Sequence, residues 1–529
     1  MRLRTILVML VAQLGGLCFA QAATTQSAGA QPNALGIIVG PDTTRLTGPL
    51  LPDGSVDYVA AINAIESRGV TPRNNAACIL LRLTDAGMNQ PPYIRRRIDT
   101  LKLIGAQIHP ADEIAWQPWP GFANPTPTDD PQSPTYVDRF SQAETRPWSG
   151  KDMPDLTAWL TSNDAALAVA QAASQRSRFW LPIVMVPGDN ASLPLNGDVS
   201  LWRGLAQALC IRGMSRLHER DTSGALQDLL TLQRLGSLIG QSPELLVALT
   251  GSGMESLACQ ASWTLLGDSR IPAAALRRWS ADLTAMTPIP VPPTGIVRRA
   301  HFDALHMVQV LAAVETAEML KHMSAADLQA AMAAAAKASI PVLDWNRILR
   351  LVNSIYDDLE KDRSALPAAR RAAEEQAVDD RIKQFEQLVE AGPRLPSQWL
   401  LPQPGETSNA YSDRVGANIL MMQLPSFRHL AETFRQCDQR VDWTAKVGMA
   451  LAIYRLDHGE YPVSLDALVP AYLPRLPDNT SAYPIGYERR GPAYVIRYVK
   501  VYDAREQAQL AEMHRDYEYS DIIIATDEQ

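Results

Sequence analysis

The sequence predicts a mostly α-helical protein that ends in a small α+β module. Three observations lead there. Apolar residues recur at three- and four-residue spacing through most of the 529 positions. Short Tyr/Val/Ile runs of strand type gather near the C-terminus, and ten of the 15 tyrosines fall from Tyr454 onward. Pro/Gly-rich breaks at 287–293 and 392–405 interrupt the helical pattern. The length supports two or three domains, and 46% hydrophobic residues fit a globular chain. A formal net charge of −8 with no basic stripe argues against a nucleic-acid partner.

Residues 1–22 read as a secretory signal peptide. Arg2 and Arg4 precede an apolar run, and Ala20-Gln21-Ala22 is a small-x-small cleavage site, so the mature chain is expected to start at Ala23. An uncleaved anchor is the alternative, and it is the one route by which this reading brings the chain to a membrane. Leu17 precedes Cys18 where lipidation would require a small residue. No later run reaches the roughly 18 apolar residues of a membrane span.

Residues 23–55, rich in Thr, Gly, Pro and Ala, read as a flexible tail or linker. An N-terminal helical domain is expected over 56–287. Its helices are placed at 56–68, at 74–85 after Thr71-Pro72, and from Pro91-Pro92 to near Gly105. Residues 116–148 read as a Pro/Trp-rich loop whose Trp116, Trp119 and Trp148 pin it to the body rather than line a groove. Helix returns at 155–178, an extended run follows at 179–186, and helices at 199–217 and 222–239 make a hairpin. Gly213 and Ala225 are the small residues that let that hairpin close. Ser242 caps, with Pro243 and Glu244 in the first turn, a helix ending at Gly267; Pro272 starts another. A long-helix region is expected over 294–432, with helices at 311–338, 346–359 and 368–391. The last is heavily charged and reads as a solvated face.

The module spans 433–529. Val447, Leu451 and Tyr454 share one helix face, and Gly459 stops that helix with a left-handed cap. Tyr461-Pro462 forces an elbow, Ser464 caps a short helix at 465–469, and Tyr487–Arg489 and Tyr494–Tyr498 flank a turn at Arg490-Gly491-Pro492. In this order Tyr454, Asp457, Gly459, Tyr461, Pro462, Leu465, Leu468 and Pro477 resemble the C-terminal domain of the type II secretion major pseudopilin. The resemblance implies a long helix, an elbow and a small sheet completed by Asp521–Ile524. Two features depart from it. No prepilin-type segment precedes Val441, and 501–519 reads as an inserted helix where that domain carries a calcium loop. Asp503, Glu506, Asp516 and Asp521 are too scattered to converge on calcium. Residues 57–81 and 155–182, together with the hairpin and the module, resemble uncharacterised large exported bacterial proteins. That likeness implies an architecture and no activity.

Motifs of known chemistry are lacking. There is no Gly-x-Ser-x-Gly elbow, phosphate loop, dinucleotide fingerprint or His-Glu-x-x-His. Gly251-Ser252-Gly253 lies in a helical pattern, where small residues allow close packing. Glu318 and His322, four apart, read as a surface ion pair, and His301 and His306, five apart, do not share a face. Asp129-Asp130 sits in a loop. Cys78, Cys210, Cys259 and Cys437 lack metal spacing and read as buried thiols, with a Cys210–Cys259 bridge as the alternative. No catalytic, cofactor-binding or metal-binding residue is assigned. The expected function is that of an exported, envelope-associated, non-enzymatic binding or structural protein whose partners are other envelope proteins. The alternative is an extracytoplasmic hydrolase with a site assembled from loops.

Overall fold

A computed structural model describes residues 31–84, 91–119, 136–186, 199–268, 270–286, 294–322, 341–361, 366–390, 400, 402–422, 430–477, 485–498 and 520–524. The chain is mostly helical with a small antiparallel sheet near its C-terminus, as the sequence predicts. It forms two compact units, and neither is continuous in sequence. One takes 1–69, 182–196 and 292–430; the other takes 70–181, 197–291 and 431–529. The contiguous domains expected at 56–287, 294–432 and 433–529 therefore differ from the units that form. Each unit gathers segments whose apolar faces match, whatever their distance along the chain.

In the first unit, the helix Trp345–Glu360 buries Trp345, Ile348, Leu349, Val352, Ile355 and Tyr356, one stripe at three- and four-residue spacing. Asp344 caps it by accepting from the Arg347 N–H. Around this stripe lie the helices Tyr58–Glu66, Thr294–His322 and Ser408–Met421, with Ala368–Glu390 contributing Val378 and Ile382. The expected tail is folded from residue 31. Leu35, Ile37 and Val56 join the core, and side-chain amides hold the strandless backbone between them. Asn346 donates to the Gly36 carbonyl at 2.9 Å and accepts from the Ile38 N–H at 2.8 Å. Gln309 makes the same pair of bonds with Val56, at 2.9 and 3.1 Å. The helix expected from 311 starts at Thr294, and Ser408–Met421 is a helix that the sequence reading did not include.

The second unit is built on the helices Val199–His218, Thr222–Gly240 and Leu245–Leu266. Asp221 caps the second, and Gly213 sits against Ala225 and Leu229 as the hairpin requires. The second and third helices touch backbone to backbone, since a Cβ on Gly251 would lie 2.1 Å from the Gly240 nitrogen. The third helix starts later than expected. Glu244, not Ser242, is its cap, because its carboxylate reaches the N–H groups of Leu246 and Val247.

Three further expectations are corrected here. The helix placed at 74–85 is the single turn Ala77–Leu80, followed by Leu83–Thr84, which pairs in parallel with Ile114–Ala115. The 116–148 loop contains the helix Tyr136–Thr145, while Trp116, Trp119 and Trp148 are buried as expected. The 155–178 helix breaks at Asn163 into Pro154–Ser162 and Asp164–Ala173. The buried Asn163 amide instead bonds both the N–H and the carbonyl of Gln117, each at 3.0 Å. A long-range anchor outweighs helix continuity there.

At the C-terminus, the helix Leu430–Trp443 passes through a π-helical turn, Thr444–Gly448, into the helix Met449–His458. The long helix thus begins well before Val441. Gly459 closes it at φ +79°, the expected left-handed cap. Tyr461 is buried, its ring 4.5 Å from that of Tyr494 and under the Arg455 guanidinium at 5.3 Å. The same guanidinium donates to the Gly267 carbonyl at 2.6 Å, where Leu245–Leu266 ends. One arginine thereby joins the elbow to the hairpin's partner helix. Leu465–Leu468 is a 3-10 turn, and the Ser464 hydroxyl turns to Asp466 instead of capping it. Ile485–Arg490 and Ala493–Tyr498 pair antiparallel across Gly491-Pro492, and Ser520–Ile524 pairs with the second of them. The readings for 1–22, 287–293, 323–338, 392–399 and 501–519 lie outside the described residues.

Candidate functional site

Among the described residues, three places have chemistry that packing alone does not require. The first lies in the second unit, where the π-helical turn meets the helical hairpin. Glu255 on Leu245–Leu266 is buried beneath Gly236, whose missing side chain makes the room: a Cβ there would meet the Glu255 Cγ at 2.8 Å. The Cys437 thiol donates to Glu255 Oε2 and to the Ser252 carbonyl, both at 3.4 Å. Cys259 points at Gln233 Oε1, 3.9 Å away. Burial pushes the Glu255 carboxyl up to about 8; Asp438 pushes the same way, and the Cys437 thiol and Gln233 amide pull less strongly against it. Burial likewise raises Cys259 to about 12 and Cys437 well above the thiol range. Burial thus favours the neutral form of the acid and of both thiols, and the thiolate is the reactive form of a cysteine. The π-helical turn frees the Ala445 carbonyl, which accepts from the Ser280 hydroxyl at 2.7 Å.

The second place lies in the first unit. His301 is buried, stacked on Tyr356 at 4.7 Å between ring centres. Its Nε2 is 2.8 Å from Asn353 Oδ1, and its Nδ1 is 3.0 Å from Glu360 Oε1. The Asn353 amide has only one possible orientation, because its Nδ2 donates to the Asp42 and Thr43 carbonyls at 2.8 and 2.7 Å. Both histidine nitrogens thus face oxygens of neighbouring side chains. Burial works to raise the Glu360 carboxyl, but His301, Arg298 and Arg45 together outweigh it and hold the group below its ordinary value. Every partner in this cluster is structural, and it locks the 31–57 segment onto its unit.

The third place is on the surface. The helix Pro91–Leu103 turns Thr100 and Arg97 inward. Arg97 donates to Glu113 at 2.7 Å and to the Leu81 carbonyl at 2.5 Å. Its outward side is the more apolar one: Tyr93, Ile94, Ile98 and Leu103 are 53, 45, 48 and 54% exposed. A shallow groove of about 410 Å³ runs between two ridges of this helix, Pro91–Arg95–Asp99 and Ile94–Ile98–Lys102. That inverts the usual amphipathic pattern, in which the apolar stripe faces the core.

The residues singled out in the sequence go elsewhere. Cys78, Cys210, Cys259 and Cys437 are free thiols, so no Cys210–Cys259 bridge forms; the Cys210 thiol donates to the Glu144 carbonyl at 2.9 Å. Gly251 serves close helix packing. His306 lies edge-on to Tyr58, and burial lowers its proton affinity. The side chains of Glu318 and His322 lie outside the described residues, as do Asp129, Asp130, Asp503, Glu506 and Asp516. Among the described residues, no three His, Cys, Asp or Glu side chains gather as a metal site, and no helix is long and apolar enough to cross a membrane. The sequence reading passed over Glu255, Asn353 and the 91–103 face. Only the last had a visible signal, two isoleucines four apart among arginines.

Comparison of the chain with protein-family models, with curated proteins and with solved structures finds no match.

Proposed function

We propose that this is an exported, envelope-associated protein that binds or scaffolds partners and carries out no reaction of its own. The carrying observation is a contrast of placement. Among the described residues a strongly perturbed acid, Glu255, is 5% exposed and shut in by Ser252, Gln233 and Cys437, whereas apolar side chains are exposed outward on Pro91–Leu103. A hydrolase needs such an acid at the wall of an open cleft. A binding protein needs exposed apolar area. In this reading the C-terminal module, with its pseudopilin-like order of helix, elbow and sheet, is a docking or capping element, and the partners are other envelope proteins.

Cell fractionation with N-terminal sequencing tests export: the expected product lies outside the cytoplasm and starts at Ala23. Cytoplasmic protein with Met1 intact would overturn it. Affinity purification from the native envelope, with cross-linking and mass identification, tests the binding role. A hydrolytic activity that survives purification and disappears on substitution of a described side chain would favour the enzyme alternative.

A further inference from the structure

We infer that the outward face of the Pro91–Leu103 helix docks on an anionic lipid surface. The inference rests on the envelope-binding reading and adds a partner to it. It also widens the sequence expectation, in which only an uncleaved leader reached a membrane.

The helix reads PPYIRRRIDTLKL, with four cations and one carboxylate, in a chain whose overall charge is −8. The carboxylate, Asp99, is met by Lys102 at 2.9 Å, and Arg97 is spent inward on Glu113. Arg95 is exposed beside Ile94 and Ile98, and Lys102, exposed at the far end of the same strip, is shared with Asp99. Long basic side chains next to an apolar strip can lay their stems along it and reach lipid headgroups with their charged ends. Tyr93 at the start of the helix is of the type that favours a membrane interface.

The basic composition and the length of the helix favour a bilayer as occupant. All six lining residues, Pro91, Ile94, Arg95, Ile98, Asp99 and Lys102, come from this one helix. Thirteen residues also suit a helix lying in the plane of the interface, since a span takes about 20.

The test is co-sedimentation of the full chain with vesicles. One set mixes phosphatidylglycerol and phosphatidylethanolamine, and the other is phosphatidylcholine alone. Binding to the anionic set is expected, weakened about tenfold or more when salt rises from about 0.05 to 0.5 M. Ile94→Ser with Ile98→Ser should weaken it about tenfold, since each removes buried apolar area, and Arg95→Glu should weaken it several-fold. The leader is common to all these proteins and cancels. Unchanged circular dichroism and melting temperature of the variants exclude a folding effect, since these side chains point outward. Equal binding by wild type and the Ile94/Ile98 variant overturns the inference, as does equal affinity for both vesicle sets. Loss of self-association or of a protein partner in the variants, without loss of vesicle binding, overturns it in favour of a protein occupant. Export can hold while vesicle binding fails, so the two readings fail separately.

Discussion

The two buried polar clusters meet the same difficulty in opposite ways. Around His301 every hydrogen-bonding group is matched, and a ring facing two acceptors is set against a carboxylate held in its charged form. Around Glu255 burial dominates, and the carboxyl is pushed toward its neutral form instead. Burial of an ion is costly unless it is paired, so a site either supplies the pair or gives up the charge. The first solution ties distant segments together, 42–43 to 353 and 301 to 360. The second tolerates close packing of small residues, Gly236 and Gly251, around a neutral acid.

The pH response separates them most strongly. Glu255 ionises near 4.5 when unfolded and near 8 when folded, so its contribution is complete below about 4.5 and erodes as pH rises toward 8. The slope approaches about 1.4 kcal/mol per pH unit. Glu255→Gln should flatten it, measured by urea unfolding at pH 5, 6, 7 and 8. Parallel curves for the two proteins would mean that the acid is not held neutral. Next in size, Asn353→Leu leaves the Asp42 and Thr43 carbonyls and His301 Nε2 without their partner. A loss of about 3 kcal/mol is expected, with faster amide exchange over 31–57. A loss below about 1 kcal/mol would show that this cluster is not the lock described.

Gly459→Val touches neither cluster and calibrates both. A branched side chain at φ +79° should cost about 1–2 kcal/mol. It should speed proteolysis after Arg489 or Arg490 while the N-terminal fragment survives; equal cutting rates would remove the elbow from the account. The smallest change is expected from Glu360→Gln. Glu360 has its folded value depressed, so its contribution is present above the unfolded value of about 4.5 and lost as pH falls below it. The carboxylate is partly exposed, so about 1 kcal/mol is expected, seen as a weaker acid-side decline in melting temperature. An unchanged decline would deny that the neighbours of Glu360 hold its carboxylate charged.

Local signals were the legible ones. Gly459 as a left-handed stop and the Gly491-Pro492 turn follow from backbone preferences that act within a few residues, and the structure has both where the sequence reading put them, whereas the Ser242 and Ser464 caps did not form. Asn163 and Asn346 were illegible. An amide that bonds a backbone 46 or 308 residues away leaves no trace in periodicity. The same holds for the interleaving of the units, since matching apolar faces record no distance along the chain. Glu255 was hidden for another reason: one acid in an otherwise apolar helix reads as a solvent-facing position until its neighbours Gly236 and Cys437 are known.

The π-helical turn at Thr444–Gly448 has a consequence for how this chain can change length. A turn closed from i to i+5 holds one residue more than an α turn while leaving the helix before and after it in phase. Upstream, Phe434 and Cys437 are buried, and downstream Met449, Ala450, Leu451, Ala452 and Ile453 are. Elsewhere in that helix, losing one residue would swing every later side chain through more than a quarter of a circle and aim Arg455 away from the Gly267 carbonyl. Within the turn, removing Lys446 lets an ordinary α turn close and keeps both buried faces where they are. A single-codon deletion at Lys446 is thus expected to be absorbed at this turn, a spare residue set into the helix that carries the elbow.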